Sequence, residues 1–181
     1  MRNKTVYDLT VSAMMLALGL FLPFLTGQIP EIGKMLLPMH IPVILCGFIC
    51  GWKYGLGIGI LLPIMRSFIF GMPILYPKAV AMAFELAAYG LVCGFFYYRF
   101  KKKNVLAIYA SLVSAMILGR VALALANITL LGLGEGGYTF ALFLSGALLD
   151  AIPGIILQLI LIPALVAAIN KVSSSTNSKR S

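Results

Sequence analysis

Three ionisable side chains lie inside apolar stretches that are long enough to cross a bilayer: Glu85, Arg120 and Asp150. A charge at bilayer depth costs about 3 kcal/mol or more unless it meets water, a partner or a ligand. One interpretation is structural, with Arg120 paired to Glu85 or Asp150. The other is functional, with these groups lining a water-filled pocket that holds a polar solute. A salt bridge can also orient an arginine toward a ligand, so the two interpretations are compatible.

Two further polar residues extend this set. Arg66 lies near the end of another apolar stretch, and Asn127 follows Arg120 by nearly two helical turns, on the same face. Because a guanidinium binds a carboxylate through two parallel hydrogen bonds, Arg66 or Arg120 is the predicted clamp for a carboxylate-bearing solute. The Asn127 amide suits hydroxyl or amide groups. His40, at the start of a short apolar run, is interpreted as an interfacial or satisfied histidine rather than as a ligand or a proton carrier.

No arrangement of these residues indicates catalysis. The chain has no recognisable Ser-His-Asp, Cys-His or paired-carboxylate pattern, so we predict that it is not an enzyme. Cys46 and Cys50 share a helix face, but no histidine or third cysteine completes a metal site. We therefore predict neither a metal nor a cofactor in this chain.

The composition places these residues in a membrane protein. Of 181 residues, 61% are hydrophobic and only 10% are charged, and a soluble domain of this size cannot hide so much apolar surface. No nucleotide-binding sequence is present, and there is no room for a soluble ATPase domain. The net charge of +9 resides mostly in short segments between apolar runs, which argues against nucleic acid as a partner.

The apolar runs predict an all-α membrane protein with six transmembrane helices. The predicted helices cover residues 6–26, 40–51, 54–70, 78–98, 106–131 and 139–170. The run over 40–51 is too short to span the bilayer comfortably. We predict one integral membrane domain over residues 1–172 and a disordered polar tail over 173–181.

The basic residues predict the orientation. Of the 14 lysines and arginines, Arg66 and Arg120 lie within spans, and Lys34 and Lys78 lie in segments on one side, which we call outer. The remaining ten lie on the inner side if both termini are cytoplasmic. This bias predicts that both termini are cytoplasmic.

Small residues recur at intervals of four on two helices. On the fifth helix they predict a face for close packing: Ala107, Ser111, Ala115 and Gly119. On the first helix, Ala13 and Ala17 form one such pair. Spacing alone is compatible with packing inside the bundle or with docking to another membrane protein.

The whole chain resembles a substrate-binding S component of an energy-coupling factor (ECF) vitamin transporter. The resemblance rests on the six-helix plan, the Ala13–Ala17 pair and the long first outer loop. It also rests on LLPMHIPVILCGFICGWKYG at 36–55, GMP at 71–73 and FELAAYG at 84–90, which are similar to the pantothenate-type members.

The resemblance implies a binding subunit that captures a water-soluble vitamin from outside. It implies docking through Ala13 and Ala17 onto a transmembrane T component, driven by two ATPases that use ATP, and a toppling motion that releases the cargo inside. The pocket is implied to lie on the outer side, closed by the first and third loops and built from the last three helices. The implied location is a bacterial plasma membrane. The implied substrate-binding residues are Arg66, Lys78, Glu85, Arg120, Asn127 and Asp150.

Pantothenate, an anion with hydroxyls and an amide, is the favoured substrate, because the predicted pocket has one more base than acids. Pyridoxine or hydroxymethylpyrimidine would instead use a carboxylate and an aromatic platform, which Glu85 and Tyr89 can provide. A stand-alone secondary transporter is the alternative of another class, although the chain shows no clear inverted repeat.

Overall fold

The computed structural model describes residues 4–26, 36–101, 104–132 and 151–178, and these ranges contain six α-helices. The helices are α1 (Lys4–Phe21), α2 (His40–Cys50), α3 (Trp52–Phe70), α4 (Val80–Arg99), α5 (Val105–Leu131) and α6 (Ile152–Ser178). Five helical segments are long and apolar enough to span a membrane, and α2 is the shorter apolar helix. The predicted all-α fold is confirmed, and the second helix is as short as predicted.

The ends of the helices follow local chemistry. The Asn104 side chain accepts a hydrogen bond from the Ala107 amide at 3.0 Å and so caps the start of α5. Glycines with positive φ follow α3 at Gly71 (69°) and α5 at Gly132 (75°). Between α2 and α3 stands Gly51, whose φ of 96° reverses the chain and separates the two helices at the predicted break near Trp52.

Helix α4 is at the centre of the bundle and packs against α2, α3 and α5. Its contact with α3 is a backbone contact, because a Cβ atom on Gly55 would lie 2.6 Å from the Gly90 carbonyl oxygen. On the other side, the small-residue row of α5 is buried, and its Gly119 lies under the ring of Tyr89. The predicted packing face of α5 is therefore confirmed.

The main apolar core lies where α2, α4, α5 and α6 meet. It includes Ile44 from α2, Tyr89 from α4, Met116 from α5 and Ile162 from α6. Helix α6 packs against α2 and α5 and completes this side of the bundle. Each of these four helices therefore has one face that is buried in the core.

The segment between α3 and α4 is more structured than the predicted loop. A π-helical turn covers Leu75–Ala79, and the Met72–Pro73 and Tyr76–Pro77 peptide bonds are cis. The Tyr76 hydroxyl donates a hydrogen bond of 2.8 Å to the Leu130 carbonyl in the last turn of α5. This segment is therefore tied across the outer end of α5.

Two other boundaries differ from the predictions. Helix α1 ends at Phe21, and a 3-10 turn over Leu22–Thr26 replaces its predicted last turn, in the region of Pro23. At the other end of the chain, α6 continues to Ser178, into the tail that was predicted to be disordered. The predicted start of the sixth helix and most of the first outer loop lie outside the described residues.

Candidate functional site

A set of buried polar side chains lies on the outer side of the main core. Three helices each place one such residue a single turn outward of a core residue: His40 before Ile44, Glu85 before Tyr89 and Arg120 after Met116. Helix α6 does the same with Gln158, one turn before Ile162. These four residues, together with the hydroxyl of Tyr89, are called the polar layer below.

The polar layer lies deep in the membrane. At about 1.5 Å per residue, His40, Glu85 and Arg120 stand about 15 to 23 Å from the inner ends of their helices, within a hydrocarbon core about 30 Å thick. Gln158 stands about 20 Å from Lys171, where the apolar span of α6 ends. His40, Glu85, Arg120 and Gln158 are all buried. Groups of this kind at this depth are expensive, which makes the layer the first candidate for function.

Glu85 is the anionic centre of the layer. Its Oε1 atom accepts a hydrogen bond from Nη1 of Arg120 at 2.8 Å and lies 3.4 Å from Nε2 of His40. His40 is also the first residue of α2, a helix that starts near mid-depth. The positive end of the α2 dipole is therefore next to the carboxylate and stabilises its negative charge. The predicted pairing of Arg120 with Glu85 is present.

Arg120 keeps one edge of its guanidinium unused. Only Nη1 contacts Glu85, while Nε and Nη2 are buried and have no hydrogen-bond partner among the described residues. The N–H groups on Nε and Nη2 point the same way and form the side-on edge that holds a carboxylate or phosphate with two parallel bonds. Arg120 can therefore be anchored by Glu85 and bind an anion at the same time.

Other polar atoms of the layer are also without hydrogen bonds in the described part of the chain. They are Nδ1 and Nε2 of His40, the Tyr89 hydroxyl, and both amide atoms of Gln158. The His40 and Tyr89 rings meet edge to face, with centroids 5.0 Å apart. A buried polar group left unpaired costs about 1–3 kcal/mol, so this number of them in one layer indicates a site completed by a polar ligand or by water.

The layer is closed in this structure, since its side chains are buried. A cavity of about 130 Å³ lies instead at the inner end of the bundle, where its lining includes Phe48, Tyr97 and Asn170. There the Asn170 amide donates to the Tyr97 hydroxyl at 2.8 Å. This inner cavity holds none of the polar layer.

The comparison with protein families decides the class of protein. The family model for the substrate-specific component of ECF transporters matches residues 7–166. The chain belongs to this family. No curated protein and no solved structure matches the chain. As an ECF S component, the chain is a multi-pass membrane protein and a transporter subunit, and membership implies that it works with a T component and ATPases.

The S component uses Arg66, one of the predicted binding residues, to hold two helices together. Its Nη1 donates a 2.8 Å hydrogen bond to the Leu20 carbonyl, in the last turn of α1, where no intrahelical donor is available. The guanidinium carbon lies 5.5 Å from the ring centroids of both Phe24 and Phe70. Arg66 therefore ties the outer end of α1 to α3 and makes no described contact with the polar layer.

We expect Arg66→Met to lower the free energy of unfolding by about 2 kcal/mol, because the charge-assisted hydrogen bond and the cation–π contacts are both lost. Thermal unfolding in detergent measures this loss. Met65→Leu, a nearby volume-conserving change on α3, is the control. An unchanged unfolding temperature would contradict the tie, and ligand affinity in the same variant tests the sequence-based prediction that Arg66 binds the anion.

The other predicted binding residues are dispersed. Lys78 is exposed in the π-helical turn. Asn127 is half-buried on α5, and its Nδ2 donates to the Leu123 carbonyl of its own helix at 3.0 Å. Asp150 lies outside the described residues. Of the six predicted binding residues, the structure brings together Glu85 and Arg120.

The predicted docking residues Ala13 and Ala17 are exposed on α1. The opposite face of α1 carries Ser12 and Gly19, which are buried against the bundle. A Cβ atom on Gly19 would meet the side chain of Leu62 on α3. The small-residue pair is therefore available to a partner and does not pack inside the S component, and docking itself stays a prediction.

Sequence reasoning missed two members of the polar layer. His40 was interpreted as an interfacial or satisfied histidine and not as a site residue, whereas its ring lies beside Glu85 and its Nδ1 has no hydrogen-bond partner among the described residues. Gln158 was not considered, although it is a single amide in an apolar run. Its spacing of four residues from Ile162 was the available signal, but it gains meaning only once Ile162 is known to face the core.

Proposed function

We propose that this S component captures pantothenate, a small vitamin with a carboxylate, from outside a bacterial cell and presents it to an ATP-driven importer. The observation that carries the proposal is the unpartnered Nε and Nη2 edge of Arg120, buried at the depth of the polar layer. A carboxylate fits this edge through two charge-assisted hydrogen bonds. Glu85 holds the guanidinium from the other side and so orients it before the ligand arrives.

The donors that face the layer also support an anionic ligand. Within the described residues, Glu85 meets Arg120 and the His40 ring, and the positive end of α2 adds to the positive side. A ligand carboxylate adds one negative charge to this environment and has donors waiting for it. The remaining donors and acceptors of the layer suit the hydroxyl and amide groups of pantothenate.

Calorimetric binding to the purified chain tests the substrate. The ligands are pantothenate, its neutral primary-amide analogue, pyridoxine and hydroxymethylpyrimidine. We expect pantothenate to bind, and its neutral analogue to bind at least about 100-fold more weakly, because the amide loses the negative charge and places an NH2 donor against one of the two N–H donors of Arg120. Equal affinities for the acid and the neutral analogue would overturn the carboxylate site.

A second candidate substrate is a neutral heterocycle such as pyridoxine or hydroxymethylpyrimidine. The edge-to-face pair of His40 and Tyr89 next to Glu85 favours it, because a ring can stack there while the carboxylate accepts a hydrogen bond. Tight binding of either heterocycle in the same calorimetric series, without binding of pantothenate, would replace the first proposal with this one.

The partners proposed for the complete importer are a transmembrane T component and two ATPases, with ATP consumed by those subunits. The exposed Ala13 and Ala17 pair is the proposed contact with the T component. A stand-alone secondary transporter differs in one measurable property. Vesicles that contain only the S component are expected to show no uptake under an ion gradient, and uptake in them would contradict the ECF mechanism for this chain.

We expect Ala13→Leu/Ala17→Leu to leave ligand binding intact and to abolish uptake by the assembled importer. The larger side chains keep two helices from approaching closely, and both positions face away from the bundle. Binding is measured by calorimetry and uptake in vesicles with the partner subunits. Ile156→Phe/Ile160→Phe, on the exposed face of α6, is the control. Loss of binding, or unchanged uptake, would contradict the docking role.

A further inference from the structure

The geometry points to Gln158 as a second recognition point, whose Oε1 atom accepts a hydrogen bond from the N–H of an amide in the ligand. The inference rests on the proposed function, because it places this group in the same ligand that Arg120 binds. It assigns a specificity role to a residue that neither the sequence pattern nor the family match identifies.

The first supporting observation is that Gln158 is completely buried and unsatisfied. Its exposed fraction is 0%, and neither Oε1 nor Nε2 has a hydrogen-bond partner within the described ranges. A primary amide is both donor and acceptor, and buried amides are normally paired. An apolar residue of similar length would fill this position without any unpaired atoms, so packing alone gives no reason for glutamine.

The second observation is where the side chain faces. Gln158 shares an α6 face with Ile162 and Val166, which are buried in the same core as Met116 and Tyr89. Helix α6 packs on α2 and α5, the helices that carry His40 and Arg120. Gln158 is thus on the core-facing side of α6, one turn outward of Ile162, and α6 lies against the two helices that carry His40 and Arg120.

The third observation is the chemistry of the other members. Arg120 offers only donors, and Glu85 is an acceptor already in contact with two bases. The Oε1 atom of Gln158 is a buried acceptor that has no hydrogen-bond partner among the described residues. The N–H of a ligand amide can therefore donate to Oε1 of Gln158, which an ester oxygen or a methylene group cannot do.

The test compares ligands that differ only at the amide. Pantothenate and the analogue with an ester oxygen in place of the amide nitrogen are measured by calorimetry against the full chain and Gln158→Met. We expect the unmodified chain to prefer the amide by about 10- to 100-fold, because the ester leaves Oε1 without a donor. In Gln158→Met the preference falls to within about threefold. Ile156→Met, a lipid-facing change on the same helix, should keep the full preference.

The outcomes separate this inference from the proposed substrate. If Gln158→Met retains the amide preference, the inference is overturned while the carboxylate site of Arg120 stands. If pantothenate does not bind, binding of a panel of other small carboxylates, with and without an amide, decides whether the inference about Gln158 stands. Tightest binding by an amide-bearing member, with the preference lost in Gln158→Met, supports the inference although pantothenate fails. Tightest binding by an amide-free member, or no binding in the panel, overturns it. Thermal unfolding of Gln158→Met confirms that the variant is folded.

Discussion

Arg120→Met is expected to abolish ligand binding and also to destabilise the S component. The substitution removes the edge of Nε and Nη2 proposed to hold the carboxylate, so we expect affinity to fall at least about 100-fold. It also leaves Glu85 buried with His40 as its one remaining basic neighbour among the described residues. Removing one partner of a buried ion pair costs about 3–5 kcal/mol, which is a large part of the stability of most proteins.

A second substitution separates the two effects. Glu85→Gln combined with Arg120→Met removes the buried charge that the single variant leaves unpaired, so we expect the unfolding temperature to recover most of its loss. Binding is expected to stay lost, because the anion still has no partner. Calorimetry and thermal unfolding of both single variants and the double variant give the result. A double variant that binds like the unmodified chain would show that Arg120 is only a structural bridge.

The distinction between arginine and lysine gives a further control on this prediction. Arg120→Lys keeps a positive charge for Glu85 but has no planar fork to share between Glu85 and a ligand. We expect it to be more stable than Arg120→Met and to bind at least about tenfold more weakly than the unmodified chain. Unchanged affinity in Arg120→Lys would argue that a point charge is sufficient and that the two-bond geometry plays no part.

Gly90→Ala is expected to cause the largest loss of stability among single small substitutions. A Cβ atom at this position would collide with the backbone of Gly55 on α3. Side chains can rotate away from an added methyl group, but a helix backbone cannot, so α3 and α4 would have to separate. Because α4 is the central helix, we expect a cost of at least about 3 kcal/mol, at or above the upper end of the usual range for overpacking.

Gly57→Ala is the matched control, since it lies on the same helix pair and has no atom within 4 Å of an added Cβ. There alanine is expected to be neutral or to stabilise α3 by about 0.5–1 kcal/mol through its higher helix propensity. Thermal unfolding in detergent compares the two variants with the unmodified chain. Equal stabilities of Gly90→Ala and Gly57→Ala would contradict the close packing of α3 and α4.

Much of the fold was predictable from the sequence, because membrane helices must satisfy their backbone hydrogen bonds within themselves. The lengths of the apolar runs indicated the helices, including the short α2. The four-residue row of small side chains on α5 indicated its buried face. The end of α1 was predicted less well, since apolarity does not distinguish an α-helix from the 3-10 turn that follows Phe21.

The candidate site was predictable only in part. Glu85 and Arg120 were identified because a charge inside an apolar run is costly wherever its helix packs, and this cost can be read from the sequence. The same argument selected Arg66, whose cost is instead offset at the other side of the bundle by the Leu20 carbonyl and two phenylalanine rings. The sequence does not say which partner a buried charge will find.

The sequence by itself thus determined the class of structure, the predicted orientation and two members of the site, through hydropathy and the distribution of charge. Only the tertiary structure decided that His40 and Gln158 join Glu85 and Arg120 in one layer. The physical reason is that a neutral polar residue in an apolar stretch costs much less free energy than a charged one, so the sequence alone does not single it out. Its significance comes from the neighbours it meets or lacks, and helix packing decides those neighbours.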